Sequence, residues 1–190
     1  MLIKNATLPD GRSGIDVLVR EGRIAALGPN LAAPEGVQVI EAAGQLLSPP
    51  FVDAHFHMDA MLSVGLPRVN ESGTLLEGIA LWGELKPQLT QQALVERALQ
   101  YCDWAVAKGL LAIRSHVDVC DERLLAVEAL LHVRERVKPY LDLQLVAFPQ
   151  DGLLRASNAL ANLKRALDLG VDVVGGIPHF ERTAEQGAES

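Results

Sequence analysis

The amino-acid sequence predicts an α/β fold: a partial (β/α)8 barrel of the TIM type, with about four βα units, that follows a short β-rich segment. Three observations predict it. Apolar strands alternate with helical stretches over residues 48–190, which is typical of a parallel sheet buried on both faces. Polar side chains collect directly after each predicted strand, where the active sites of such barrels lie. Residues 1–47 instead carry short β runs separated by turns.

Residues 1–47 form the first predicted domain. The run Ile15–Val19 alternates between apolar and polar side chains, and a turn at Gly22 joins it to a second run, Ile24–Leu27. This pattern indicates a β-hairpin, which a third run at Val37–Ile40 follows. A segment of this length is too small to bury a core alone, so we expect it to pack against another part of the protein.

Residues 48–190 form the second predicted domain, which begins with a strand inside the apolar run Leu46–Ala54. Helical spacing of apolar residues and capping residues predict the elements that follow. They are, in order, a helix capped by Thr90 and ended at Gly109, a strand at Leu110–Val117, a helix from Asp121 to Pro139, a strand at Leu143–Phe148, a helix at Asn158–Leu169, and a strand at Val171–Gly175.

A doubly wound sheet is the competing fold, but it binds ligands mainly at one switch point. Four successive strands that each end in polar groups favour the barrel instead. A complete barrel takes roughly 250 residues and eight strands, whereas this sequence has 190 residues and four predicted strands after the β-rich segment. We therefore interpret the sequence as the first half of a barrel.

The composition excludes several classes of partner. The net charge is −7, and no basic block is present, which argues against binding a nucleic acid polymer or an anionic membrane. No stretch has the pattern of a signal peptide or the length of a membrane span. Cys102 and Cys120 do not form a CxxC pair and are expected to be free thiols, as in a cytoplasmic protein.

The first candidate site is the pair His55 and His57, which follows the opening barrel strand. Residues i and i+2 of a strand point to the same face, so the two imidazoles can reach one cation from the same side. Imidazole suits Zn²⁺ and Fe²⁺. The plainer alternative is two ordinary polar histidines at a strand end.

The block PPFVDAHFHMD, at residues 49–59, resembles the first metal-binding strand of the amidohydrolase superfamily. Further blocks are similar to cytosine deaminase, in the same order and with similar spacing. They are NESGTLLEGI at 70–79, RSHVDV at 114–119, DLQLVAFPQDG at 142–152 and GVDVVGGIPHFE at 170–181. The VAFPQ and IPHFE blocks are more specific than the HxH pair, which occurs across the superfamily.

This resemblance implies a metal-dependent deaminase that converts free cytosine to uracil and ammonia. It implies a barrel preceded by the N-terminal part of a β-sandwich, residues 1–47, and one Fe²⁺ or Zn²⁺ ion bound by His55 and His57. Gln150 matches a glutamine that binds the amide edge of the pyrimidine, because an amide offers both a donor and an acceptor. Leu75 matches a position whose backbone lies beside the substrate. A homo-oligomer is the assembly that the resemblance suggests.

The resemblance also implies that further metal ligands and the catalytic carboxylic acid lie beyond residue 190. No catalytic residue is therefore assigned within this chain, and we expect residues 1–190 alone to be inactive. Glu181 lies one strand too early to be the general acid.

Three other functions stay open. The same chemistry on isoguanine, isocytosine, creatinine or a triazine is the first. A ring-opening hydantoinase or dihydroorotase is the second, and the absence of a lysine from VDVVGG at residues 171–176 counts against it. A non-catalytic, truncated metal-binding fragment is the third. Deaminases that act on nucleic-acid bases are set aside because the chain lacks both H-x-E and P-C-x-x-C.

The remaining polar and aromatic residues have two interpretations each. His116 either lines the pocket floor or is a hydrogen-bonded neighbour of the site, and His179 is assigned a structural role near it. His132 is interpreted as a surface residue of a helix, and Trp82 and Trp104 as core or interface residues. The aspartates are interpreted as turn or capping residues, and orientation of the histidines is the alternative for them. They are Asp53, Asp59 and Asp118.

Overall fold

The computed structural model describes residues 1–190, which divide into two compact units, Met1–Pro49 and Pro50–Ser190. The first unit is a four-stranded sheet in the order β3-β2-β1-β4, in which β1 pairs antiparallel with β2 and parallel with β4. Its strands are β1 Leu2–Ala6, β2 Ile15–Arg20, β3 Arg23–Gly28 and β4 Val39–Glu41.

The predicted hairpin in this unit is confirmed. Strands β2 and β3 pair antiparallel, and the turn between them places Glu21 and Gly22 at φ values of 50° and 71°. Such left-handed values at both central residues are typical of tight hairpin turns. The buried Asp16 carboxylate accepts hydrogen bonds from the backbone N–H groups of Asn5 and Leu31, at 2.9 and 3.0 Å. The assignment of this unit to a β-sandwich stays a prediction.

The second unit is built on a parallel sheet in the order β5-β6-β7-β8. Strand order therefore follows chain order, without the reversal that a doubly wound sheet requires. The sheet is open, and the partial TIM-type barrel is confirmed. Its elements are β5 Phe51–Phe56, α1 Leu75–Leu85, α2 Gln91–Ala107, β6 Leu110–Asp118, α3 Leu125–Val137, β7 Asp142–Phe148, α4 Ala159–Asp168, β8 Val173–Val174 and α5 Ala184–Glu189.

Helix α2 follows the sequence prediction closely. The Thr90 hydroxyl caps its first turn by accepting from the backbone N–H of Ala93, and Gly109 takes a left-handed φ of 81° just past its end. The predicted inner stripe is buried, and it packs against a core shared with α3 and the sheet. Its residues are Leu94, Ala98, Cys102 and Ala105.

One predicted helix boundary is wrong, and the last strand, Val173–Val174, is shorter than the predicted Val171–Gly175. The helix expected from Asp121 begins at Leu125, because Asp121 accepts from the backbone and guanidinium N–H groups of Arg123 and so closes a short turn. The strand expected within Leu46–Ala54 begins there, at Phe51, and extends to Phe56. Leu46 forms a bridge to Thr7 in the first unit instead, and prolines lack the N–H groups that a strand donates.

Helix α1 and the short helix α5 were not predicted. Thr74 caps α1 by accepting from the backbone N–H of Glu77. No helix of the chain has both the length and the apolar character that crossing a membrane would need. Both cysteines are free, as predicted, and Cys102 is buried.

Candidate active site

Three histidine rings meet at the carboxyl ends of β5 and β6. His55 lies in β5 and His57 follows it directly, with 5.4 Å between their ring centroids. His116 lies in the neighbouring strand β6 and stacks on His55 at 4.0 Å, with 5.5 Å to His57. Parallel pairing aligns Phe56 with Ser115. The two predicted histidines therefore lie on one side of the strand end, together with a third.

Phe148, the last residue of β7, forms one wall for these rings. Its ring meets His57 edge-on at 5.6 Å and His116 at 5.3 Å. Edge-to-face contacts at this spacing are favourable because the ring edge is electropositive and the face electronegative. Sequence reasoning missed this residue, although it lies inside the quoted block VAFPQ.

The histidines open into a cavity of about 710 Å³. This volume is within the range of roughly 300–1,000 Å³ that is usual for small-molecule sites. The lining is mostly apolar with a few polar groups, and it includes both strand ends and the start of α1. The lining residues are His55, His57, Asp59, Ala60, Leu75, Leu76, Gly78, Ile79, Trp82, His116, Phe148, Gln150, Gly175, Gly176, Ile177, His179 and Phe180.

The environment of this cluster favours neutral imidazoles. Burial, with smaller effects of His116 and His55, lowers the pKa of His57 to about 4. Burial and His55 also lower the pKa of His116. Nδ1 of His116 is buried without a hydrogen-bond partner. Neutral imidazole is the form that binds a metal ion.

Two of these rings on one strand end thus fit part of a divalent-metal site. No group of three or more His, Cys, Asp or Glu side chains within residues 1–190 is arranged to hold a metal ion. The role of His55 and His57 as two ligands of a larger set stays a prediction.

A model of the amidohydrolase family matches residues 38–187, which is most of the chain. The chain belongs to the amidohydrolase family. Members of this family bind a divalent metal ion.

This amidohydrolase chain is similar in fold and sequence to solved structures of two enzymes. The 5-methylcytosine deaminase from Klebsiella pneumoniae, crystallised with 5-fluorocytosine, superposes with a TM-score of 0.93 at 38% identity, over 100% of this chain and 46% of that one. The N-isopropylammelide isopropylaminohydrolase from Burkholderia multivorans superposes with a TM-score of 0.76 at 30% identity, over 92% and 44%. The fold is therefore cytosine deaminase-like.

A similar relationship appears in sequence. N-isopropylammelide isopropyl amidohydrolase from Pseudomonas sp. strain ADP is 31% identical over an alignment of 188 residues that covers 93% of this chain and 45% of that protein. The chain spans about half the length of the relatives it matches.

Buried carboxylates lie beneath the cavity of this amidohydrolase chain. Asp59 is 1% exposed and accepts from the backbone N–H of Asp118 at 2.8 Å, while its other oxygen has no partner. Burial, with the charge of Asp118, raises the pKa of Asp59 to about 7. Asp118 accepts from Nε1 of Trp82 at 2.8 Å and forms an ion pair with Lys86 at 2.7 Å. These contacts tie α1 and the turn after it to the end of β6.

The predicted aspartates do not accept hydrogen bonds from the histidine rings. Asp53 accepts from the backbone N–H of His55 at 3.1 Å, and Asp59 and Asp118 bind backbone and other side-chain groups. The structure therefore contains no hydrogen bond through which these aspartates would orient the imidazoles.

The other predicted residues divide into those at the cavity and those away from it. Gln150, Leu75 and His179 line it, although they come from three separate segments. His132 is an exposed residue of α3. Trp82 both packs against the core and faces the cavity, whereas Trp104 is 52% exposed on α2.

Proposed function

We propose that this chain supplies part of the active site of a metal-dependent hydrolase that deaminates a free pyrimidine, cytosine or 5-methylcytosine. The observation that carries the proposal is that the imidazoles of His55, His57 and His116 and the amide of Gln150 line one cavity. The similarity to a 5-methylcytosine deaminase over the whole chain supports it. The proposed enzyme class and substrate refer to the whole protein and not to residues 1–190 alone.

Each group has a distinct task in this proposal. His55 and His57 would hold a divalent ion, Fe²⁺ or Zn²⁺, which when bound supplies a nucleophile from water near neutral pH. Gln150 donates and accepts hydrogen bonds, so that it can orient the adjacent carbonyl and ring nitrogen of a pyrimidine. Phe148 and the apolar residues at the start of α1, Leu75 and Leu76, offer apolar surface against which the pyrimidine ring can pack.

Substitutions at these positions test the assignment. In the metal-loaded protein, His57→Asn is expected to lower metal content and abolish ammonia release from cytosine. Gln150→Leu is expected to leave metal content unchanged and to raise KM, with a loss in kcat/KM of at least about tenfold. Gln100→Leu, at an exposed position of α2 away from the cavity, is the matched control for Gln150. Unchanged metal content in His57→Asn would refute the ligand assignment.

A triazine is the second candidate substrate. The sequence relationship to an N-isopropylammelide hydrolase supports it, because that relative is 31% identical over 188 residues. Both substrates carry the leaving amine on a ring carbon that is double-bonded to a ring nitrogen in at least one resonance or tautomeric form, so the same nucleophile serves both. Comparing kcat/KM for cytosine, 5-methylcytosine and N-isopropylammelide decides between them. A preference for N-isopropylammelide would overturn the pyrimidine assignment.

The activity of residues 1–190 alone is a separate prediction. The family resemblance assigns further ligands and the proton-transferring carboxylic acid to positions beyond residue 190. We expect this segment to release no ammonia from cytosine in the presence of Fe²⁺ or Zn²⁺. Steady turnover by the purified segment would contradict that expectation.

A further inference from the structure

Glu181 binds a backbone loop that belongs to a different βα unit. It follows the short helical turn Pro178–Phe180, after β8. Its carboxylate accepts hydrogen bonds from three successive backbone N–H groups in the loop after β7, at 2.6, 3.1 and 2.9 Å. The donors are Leu153, Leu154 and Arg155. Both oxygens therefore accept hydrogen bonds from this loop, and Glu181 is not among the residues that line the cavity.

The same two segments meet at further points. The Arg155 guanidinium lies 4.7 Å above the Phe180 ring and donates to the Phe180 carbonyl at 3.4 Å. Gly152 has a left-handed φ of 94°, and a Cβ placed there would lie 3.0 Å from Oε2 of Glu181. The loop therefore wraps closely around the carboxylate, and only glycine fits at its start.

Each of these two segments carries residues that line the cavity. Gln150 lies two residues before Gly152, and His179 lies two residues before Glu181; both line the cavity. We propose that Glu181 is a positioning residue, which fixes Gln150 and His179 relative to each other by joining their two loops. This inference rests on the proposed function only for the role of Gln150 in binding substrate.

Charge and geometry make the carboxylate hard to replace. Three backbone N–H dipoles converge on one carboxylate, and hydrogen bonds to a charged acceptor are stronger than those between neutral groups. Glutamine at this position would direct an NH₂ group toward at least one N–H donor, so that one or more backbone groups lose their partner. Aspartate keeps the charge but is one methylene shorter.

The test uses the whole metal-loaded protein with Glu181→Gln, Glu181→Asp and the control Glu135→Gln. Glu135 is an exposed residue of α3, with 62% of its side chain accessible. In Glu181→Gln, amide hydrogen exchange of residues 153–155 and 177–181 is expected to accelerate by about tenfold or more. Strand β7 and metal content should not change. With cytosine, KM should rise and kcat/KM should fall by about tenfold to a hundredfold, with partial recovery in Glu181→Asp.

The outcomes separate this inference from the proposed function. Unchanged amide hydrogen exchange in both segments of Glu181→Gln overturns the positioning role. Accelerated exchange with unchanged kinetics also overturns it, because the carboxylate would then be structural only. If the wild-type protein does not convert cytosine, the proposed function fails and exchange alone decides. Acceleration in both segments then supports the joining of the two loops, and acceleration in neither or in only one refutes it.

Discussion

Replacing Asp59 by asparagine should reveal a pH dependence of folding stability that the native side chain cancels. In the metal-free protein, two groups beneath and beside the cavity have pKa values shifted in opposite directions. Burial raises the pKa of Asp59 to about 7, from an ordinary value of 3.8. Burial and the neighbouring histidines lower the pKa of His57 to about 4, from an ordinary value of 6.5.

The sign of each contribution follows from which state binds the proton. Between the two pKa values of Asp59, the folded protein binds a proton that the unfolded chain has lost, so its contribution decreases as the pH rises. Between the two pKa values of His57, the unfolded chain binds the extra proton, so its contribution increases as the pH rises. One proton changes stability by about 1.4 kcal/mol per pH unit. The two slopes therefore nearly cancel in the wild-type chain.

The asparagine variant removes one slope and leaves the other. From about pH 5 to about pH 6.5, its free energy of unfolding should increase by about 2 kcal/mol relative to wild type, which is about 1.5 pH units at about 1.4 kcal/mol each. His57→Asn should show the opposite trend over the same range. His116, whose pKa is lowered by burial and by His55, contributes a slope of the same sign as His57 in both proteins and therefore does not enter the difference between them.

The assay is urea unfolding with a chelator present, followed by tryptophan fluorescence at several pH values. Asp103→Asn, an exposed aspartate of α2, is the matched control and should follow the wild-type profile. If Asp59→Asn and wild type have parallel pH profiles, Asp59 is ionised normally in the folded protein, and the argument from its burial is wrong.

Two further predictions concern the supports of the site. Asp118→Asn should destabilise the protein by about 1–3 kcal/mol in urea unfolding, because Lys86 loses its buried partner and keeps only Asp151, 2.6 Å away. Combining it with Lys86→Met should cost at least about 1 kcal/mol less than the sum of the single changes, and additivity would refute the coupling. Gly152→Ala should cost about 1–3 kcal/mol, because a Cβ would lie 2.9 Å from Arg155 Cβ and φ is 94°. Gly176→Ala has open space and should change stability by less than about 1 kcal/mol.

The strands and their polar ends were predictable because their signals are local. An apolar run, a capping threonine and a glycine stop all lie within a few residues of each other, as at Thr90 and Gly109. Helix α1 was not predicted, although Thr74 caps it. Its first residues, Leu75 and Leu76, are exposed apolar side chains at the cavity, so it does not show the one-sided pattern of a surface helix.

The supporting contacts were not predictable because they join distant positions. Asp59 meets Asp118 across 59 positions of sequence, and Glu181 reaches Leu153 across 28. In the sequence each of these carboxylates is one acidic residue among 24. These carboxylates gain their partners only when β5 packs against β6 and the loop after β7 packs against the segment after β8.

Strand register connects the site to the core. Along β6 the side chains alternate, so that Ser115 and Val117 are fully buried while His116 faces the cavity. Along β7 the same alternation buries Leu145 and Ala147, each 0% exposed, and brings Phe148 to the cavity. A slip of one residue would exchange the two faces. The apolar residues that fix the register thus also select which polar residues meet, and this is why the histidines could be placed from the strand pattern before any tertiary contact was known.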